Sequence, residues 1–275
     1  MWKLFGSTKT RTRLSKQSLI LYVTAIVSGV VLLATASFSL IAGEREYIAA
    51  RDEYDRLGEY YPSISAYVFN ARSNLDNDAD ADNPEPFEGF DIRNIIPDDE
   101  SVPDPLAELL SINKDFIGWI SIDDIINYPV VKAKNNSYYL RRTFTGQSNN
   151  SGTIFMDYRN DLGFDELVCI LYGHNMKDDS MFGLLHNYRN RSYMEEHPSI
   201  SIVTLNGKVL TYDIFGVRTV TVHNRAFDLN FRDSSAAARA LPHPPDGASR
   251  FLILSTCTNS SNDDERLLVY AALVN

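Results

Sequence analysis

Two segments of this chain combine residue types suited to covalent chemistry. Phe251-Leu252-Ile253-Leu254-Ser255-Thr256-Cys257 is an apolar run ending in a cysteine, followed by a polar stretch from Asn259 to Glu265 and then Arg266, which opens a second apolar run. Two strands joined by a short polar connection form a hairpin, and this one brings Cys257 and Arg266 together. A free thiol is only slightly ionised at neutral pH, and a neighbouring guanidinium that cannot lose its proton favours the thiolate, which is the nucleophile. The second segment is Val168-Cys169-Ile170-Leu171-Tyr172-Gly173-His174-Asn175-Met176, a buried-type strand that runs out into an imidazole beside a flexible glycine. His174 is therefore the candidate general acid and base.

Blander roles stay open on these patterns alone, because a cysteine ending an apolar strand is commonly a core residue and a histidine commonly a surface or capping group. Cys169 illustrates the point: it sits among apolar neighbours and is expected to be an inert buried thiol. With Cys169 and Cys257 the only cysteines, the chain is no disulfide scaffold. His186, His197, His223 and His243 have no metal-ligand spacing, and no cofactor motif is present, so neither a metal nor another cofactor is expected.

The elements that must position these residues are short and β-rich. Runs of Val, Ile, Phe and Tyr predict strands over 118–122, 127–132, 152–158, 167–172, 200–205, 208–222, 251–257 and 266–274, with Asn206-Gly207 as a hairpin turn. Asp104-Pro105 predicts a capped helix to about residue 112. A second is expected near 181–188 behind Asp179 or Ser180, and a third over 234–241, stopped by Pro242. Strands of this kind with few helices fit a mainly β protein, a closed or nearly closed barrel with accessory helices, better than a parallel sheet.

Ahead of this domain, residues 18–43 carry no charge and are rich in Leu, Ile, Val and Ala, enough to span a bilayer as a helix. Lys3, Lys9, Arg11, Arg13 and Lys16 precede that stretch with no acidic residue among them, which holds the N-terminus in the cytoplasm and sends the rest outside. A cleaved signal at Ala34-Thr35-Ala36 is the competing reading, but the apolar run continues past it. The expected organisation is a basic tail at 1–17, a transmembrane anchor at 18–43, a stalk helix and acidic linker at 44–103, and a catalytic domain at 104–275. Pro62 is expected to end the stalk helix. Asp76, Asp78, Asp80 and Asp82 alternate like calcium ligands but lack the Gly and Glu such a loop needs, so they read as solvated linker. Beyond the basic tail, 21 basic residues face 36 acidic ones, a formal charge of −15 that argues against nucleic acid as a partner.

Leu254-Ser255-Thr256-Cys257-Thr258 with Arg266, and Tyr172-Gly173-His174-Asn175-Met176, together resemble the signature segments of sortases, specifically of class B. The likeness extends over Gly118-Trp119-Ile120, Asn127-Tyr128-Pro129-Val130-Val131, Tyr138-Tyr139-Leu140, Gly152 to Tyr158 and Met181-Phe182, in order. The resemblance implies an eight-stranded sortase-like barrel with N-terminal helices, and a mechanism. In that mechanism Cys257 attacks the Thr carbonyl of a C-terminal sorting signal and forms a thioacyl enzyme, His174 protonates the leaving amine, and Arg266 either steadies the oxyanion, assisted by the Thr258 N–H, or holds the substrate backbone. Thr256, Ser255 and Asn175 take substrate-binding positions by the same analogy. The implied partners are surface-protein or pilin substrates, a peptidoglycan precursor or cross-bridge amine as acceptor, and the membrane. The departure is the connection between Val222 and Phe251, which is shorter than class B relatives usually carry. A pilin-polymerising sortase, a hydrolytic cysteine peptidase and a non-catalytic peptide-binding module are the alternatives.

Overall fold

The computed structural model describes residues 15–66, 104–260 and 262–274. The expected acidic linker, its calcium-like Asp alternation and the basic residues from Lys3 to Arg13 lie outside the described residues. The chain divides into two compact units, Met1–Ile48 and Ala49–Asn275. In the first, helix α1 (Lys16–Gly58) carries the apolar stretch, whose Leu19, Leu21, Leu33, Phe38 and Leu40 side chains are all exposed. At about 1.5 Å per residue the uncharged stretch reaches roughly 39 Å, more than the ~30 Å hydrocarbon core of a bilayer, so it is long and apolar enough to cross a membrane.

The expected stalk helix follows the apolar stretch without a break: α1 runs through both. Strong helix formers such as Glu, Ala and Arg fill 44–58 and nothing there breaks the backbone ladder. Pro62 does not end it either, because α1 stops at Gly58 and Pro62 falls in the first turn of a further helical stretch at 60–66, where a missing N–H is tolerated.

In the second unit, Ala50, Glu53, Tyr54 and Leu57 recur at helical spacing and form the buried face of the end of α1. The Glu53 carboxylate accepts from the Thr145 N–H at 2.9 Å and the Thr145 hydroxyl at 3.1 Å. The Tyr54 hydroxyl donates to the Gly152 carbonyl at 2.6 Å and lies 3.0 Å from Thr153 Oγ1. Helix α2 (Pro105–Ile112) starts as expected, with the Asp104 carboxylate accepting from the Leu106 and Ala107 N–H groups. It buries Leu106 and Leu109.

Eight strands close into a barrel: β1 (Phe116–Ile122), β2 (Ile126–Val131), β3 (Ile154–Met156), β4 (Val168–Tyr172), β5 (Ser199–Thr204), β6 (Val209–Thr221), β7 (Phe251–Cys257) and β8 (Glu265–Leu273). Around the barrel the order is β1-β2-β3-β4-β7-β8-β6-β5. The β2–β3 and β4–β7 pairs are parallel and the other pairings antiparallel. Gly207 takes φ 77° in the β5–β6 turn, as Asn206-Gly207 predicts. β3 is shorter than expected because Gly152, at φ 61°, sits outside the extended region and Asp157 turns back to accept from the Arg159 N–H.

The near-continuous apolar runs of β4, β7 and β8 have a physical reason. Cys169, Leu171, Leu252, Leu254, Leu267 and Val269 join the main core, while their alternating neighbours Val168, Ile170, Phe251, Ile253, Leu268 and Tyr270 join a second apolar cluster. These strands are thus buried on both faces. Helix α4 (Ser234–Ala240), capped by Asp233, contributes Ala237 to the second cluster and makes up the two turns expected in the β6–β7 connection. The short α3 (Arg191–Glu196) precedes β5.

The helix expected near 181–188 is a 3-10 helix, Gly183–Arg189, without a side-chain cap. Asp179 and Met181 are in the left-handed region and the Ser180 hydroxyl donates to Asp178, so neither expected residue caps it. Tyr54→Phe is expected to lower stability by about 1–2 kcal/mol, by leaving the Gly152 carbonyl short of its donor. Chemical unfolding measures it, and an unchanged midpoint would contradict this view of the helix–barrel contact.

Candidate functional site

The C-terminal end of β7 is the origin of the site. β7 and β8 pair antiparallel in a register that ends with Cys257 opposite Arg266, as the hairpin reading expects. On its other edge β7 runs parallel to β4, with Tyr172 opposite Ser255, and the Gly173 N–H donates to the Ser255 carbonyl at 3.2 Å. His174 follows directly. Gly173 is needed there because a Cβ would stand 2.5 Å from Ile154 Cδ1 and 2.7 Å from the Phe182 ring.

His174 Nε2 lies 2.7 Å from the Leu140 carbonyl. A carbonyl only accepts, so Nε2 carries the hydrogen and Nδ1 is the nitrogen available to exchange a proton. The ring is backed by Gly152, where a Cβ would come within 3.0 Å of the Leu140 carbonyl and 3.1 Å of His174 Cδ2. Any side chain at 152 would push the histidine or its acceptor out of place.

A groove of about 470 Å³ is lined by His174, Cys257 and Arg266 together. Cys257 is exposed, whereas Cys169 is fully buried and its thiol is pushed up to about 12 by burial. Arg266 Nη1 donates to the Asp263 and Glu265 carbonyls at 2.6 and 2.8 Å. Main-chain oxygens therefore orient the guanidinium, and among the described residues no carboxylate pairs with it, so its positive charge stays available to the groove.

The remaining expected residues fall into two groups. Ser255 and Thr256 line the groove, but their hydroxyl oxygens are buried without a hydrogen-bond partner among the described residues. Asn175 and Thr258 are not among the groove-lining residues. Asn175 donates to Asn259 Oδ1 at 2.7 Å, tying the loop after β4 to the turn after β7. The Thr258 hydroxyl donates to the Glu265 carboxylate at 3.3 Å.

Sequence reasoning missed a polar network on the groove wall. Arg159 Nε and Nη2 donate to the two oxygens of the fully buried Asp157 carboxylate, each at 2.8 Å. Tyr172 and Asn136 donate to the same carboxylate at 2.8 and 3.0 Å. Burial pushes the Asp157 carboxyl up, but the Arg159 guanidinium and the other donors outweigh it and hold the group below the usual carboxylate range. Arg159 Nη2 also donates to the Phe227 carbonyl at 3.1 Å, fastening the β6–β7 connection to the barrel. The available signal was Asp157-Tyr158-Arg159 at a strand end, which nothing local connects to His174.

With this geometry in place, similarity to known proteins identifies the class. A sortase domain matches residues 120–274. Sortase B of Listeria monocytogenes is 32% identical over 188 residues, 63% of this chain and 75% of that protein. The crystal structure of sortase B from B. anthracis in complex with AAEK1 superposes with a TM-score of 0.55 at 33% identity, covering 62% of this chain and 84% of that one. A class B sortase of Streptococcus pyogenes involved in pilus biogenesis superposes at 0.53 with 27% identity, covering 61% and 97%. The chain belongs to the sortase family of cysteine transpeptidases. Within that family it is a class B sortase.

The contrast between the two thiols is directly measurable. Iodoacetamide on the folded protein is expected to modify Cys257 and leave Cys169 intact until denaturant is added. Peptide mapping reads both sites, and equal labelling of Cys169 in the native state would contradict the burial described.

Proposed function

We propose that this chain is a membrane-anchored transpeptidase that cleaves a C-terminal sorting signal after Thr, holds the acyl fragment on Cys257 and passes it to a cell-wall amine. The observation that carries this reading is the groove shared by His174, Cys257 and Arg266. Cys257 gives its thiol proton to His174 Nδ1, the thiolate adds to the Thr carbonyl, and the resulting oxyanion is met by the Arg266 guanidinium and the Thr258 N–H. Collapse breaks the peptide bond, the departing amine takes a proton from His174 Nδ1, and a thioester remains on Cys257. An incoming amine then gives a proton back to His174, attacks the thioester and expels the thiolate. Ser255 and Thr256 form the groove floor beneath the acyl segment, and Asn175 holds the histidine loop against the cysteine turn.

The substrates are surface proteins or pilins bearing such a signal, and the acceptor is an amine of peptidoglycan or its precursor. The uncharged part of α1 supports anchoring, with the basic tail at 1–17 in the cytoplasm, the span at 18–43 and the catalytic domain at 104–275 outside. The stalk and linker at 44–103 connect the two, and the end of α1 belongs with the catalytic unit.

A panel of sorting-signal peptides mixed with several amines tests this. One peptide is expected to give a ligated product that Cys257→Ala and His174→Ala both abolish. Arg266→Lys keeps the charge but loses the fork, and is expected to lower kcat by about tenfold or more, as loss of an oxyanion donor does. Cleavage without ligation for every amine would indicate a hydrolase instead.

A further inference from the structure

We infer that His186 is a positioning residue for acyl transfer, holding the Cys257–Thr258 peptide group so that the Thr258 N–H stands as a free donor beside Arg266. This rests on the reading of Cys257 as the nucleophile. His186 lies on the 3-10 helix Gly183–Arg189, half-buried, with Nε2 3.0 Å from the Cys257 carbonyl oxygen. Its Nδ1 faces Arg189 Nη1 at 3.4 Å, and Arg189 Nη2 donates to Thr219 Oγ1 on β6 at 2.9 Å. A carbonyl only accepts and a guanidinium only donates. Both contacts therefore select one neutral tautomer, with the hydrogen on Nε2, and His186 is a donor to Cys257.

Strand geometry says why that donor is required. The Ser255 carbonyl points toward β4, where it accepts from Gly173. Two residues on, the Cys257 carbonyl points the same way, but β4 has ended and no ladder N–H is left to meet it. His186 supplies the missing donor. The described peptide bonds are all trans, so the Thr258 N–H points opposite to the Cys257 carbonyl, toward β8 and Arg266. On that side the Glu265 carbonyl, which a continued ladder would offer to Thr258, accepts from Arg266 Nη1 at 2.8 Å instead. No described group accepts from the Thr258 N–H. The planar unit fixed at one end by His186 thus presents, at the other end, an unclaimed donor next to an unclaimed charge, and that pair is suited to an oxyanion.

The test compares His186→Gln, whose amide can donate to the same carbonyl, with His186→Met, which cannot. Both are made in the full chain and assayed in detergent with the peptide and amine that the wild type ligates. A loosened donor affects the transition state more than ground-state binding, so His186→Met is expected to lower kcat about tenfold with KM within about twofold. The Cys257 alkylation rate should not change, and His186→Gln should return kcat to within about threefold of wild type. Should His186→Met expose Cys169 to alkylation, Arg189→Met is the second variant, and it too should lower kcat at constant KM. A Met variant with wild-type kcat, or a Gln variant no better than Met, overturns the inference. A wild type that forms no adduct at Cys257 removes the underlying reading and this inference with it, and that outcome is visible without any variant.

Discussion

The site depends on β7 being paired differently on its two edges. Antiparallel pairing with β8 sets Arg266 across from Cys257, and parallel pairing with β4 carries His174 to the same end. A shift of one residue in either register would turn the cysteine or its partner to the opposite face of the sheet. Burial of β4, β7 and β8 on both faces opposes such a shift, because alternate side chains are committed to two separate apolar clusters. The apolar runs that look ordinary in the sequence are thus what hold Cys257, Arg266 and His174 at one end of the sheet.

Around that frame, backbone groups do most of the orienting. The Leu140 carbonyl fixes which nitrogen of His174 is protonated, and the Asp263 and Glu265 carbonyls hold Arg266 without neutralising it. A carboxylate in either place would compete with a developing oxyanion for the positive charge. Asp157, a buried carboxylate on the groove wall, is instead satisfied by Arg159, Tyr172 and Asn136, and through Arg159 it secures the β6–β7 connection. Charge in the groove is therefore partitioned, with a sealed ion pair on one wall and an open cation beside the thiol.

The legible parts of this arrangement were local. All eight strands could be read from apolar runs and turns, and the Cys257–Arg266 pairing followed from a single hairpin. The Asp104 cap and the Asn206-Gly207 turn were legible for the same reason, since each is decided within a few residues. Along α1 the character changes from apolar to charged while the backbone stays helical. The 3-10 form of Gly183–Arg189 was missed because apolar spacing does not separate it from a short α-helix, and the positive φ at Asp179 and Met181 just ahead of it falls on non-glycine residues that give no local signal. His186 and Arg159 reach the site through contacts with Cys257 and Phe227, distant in sequence, which no periodicity reports.

Everything proposed for this groove turns on acyl transfer through Cys257. The most direct measurement is the intact mass of the protein mixed with a sorting-signal peptide in the absence of any amine, followed by peptide mapping. Added mass equal to the acyl fragment is expected on the peptide containing Cys257, removed by hydroxylamine as a thioester should be. Cleavage of the signal with no covalent adduct, or an adduct on another residue, would contradict it.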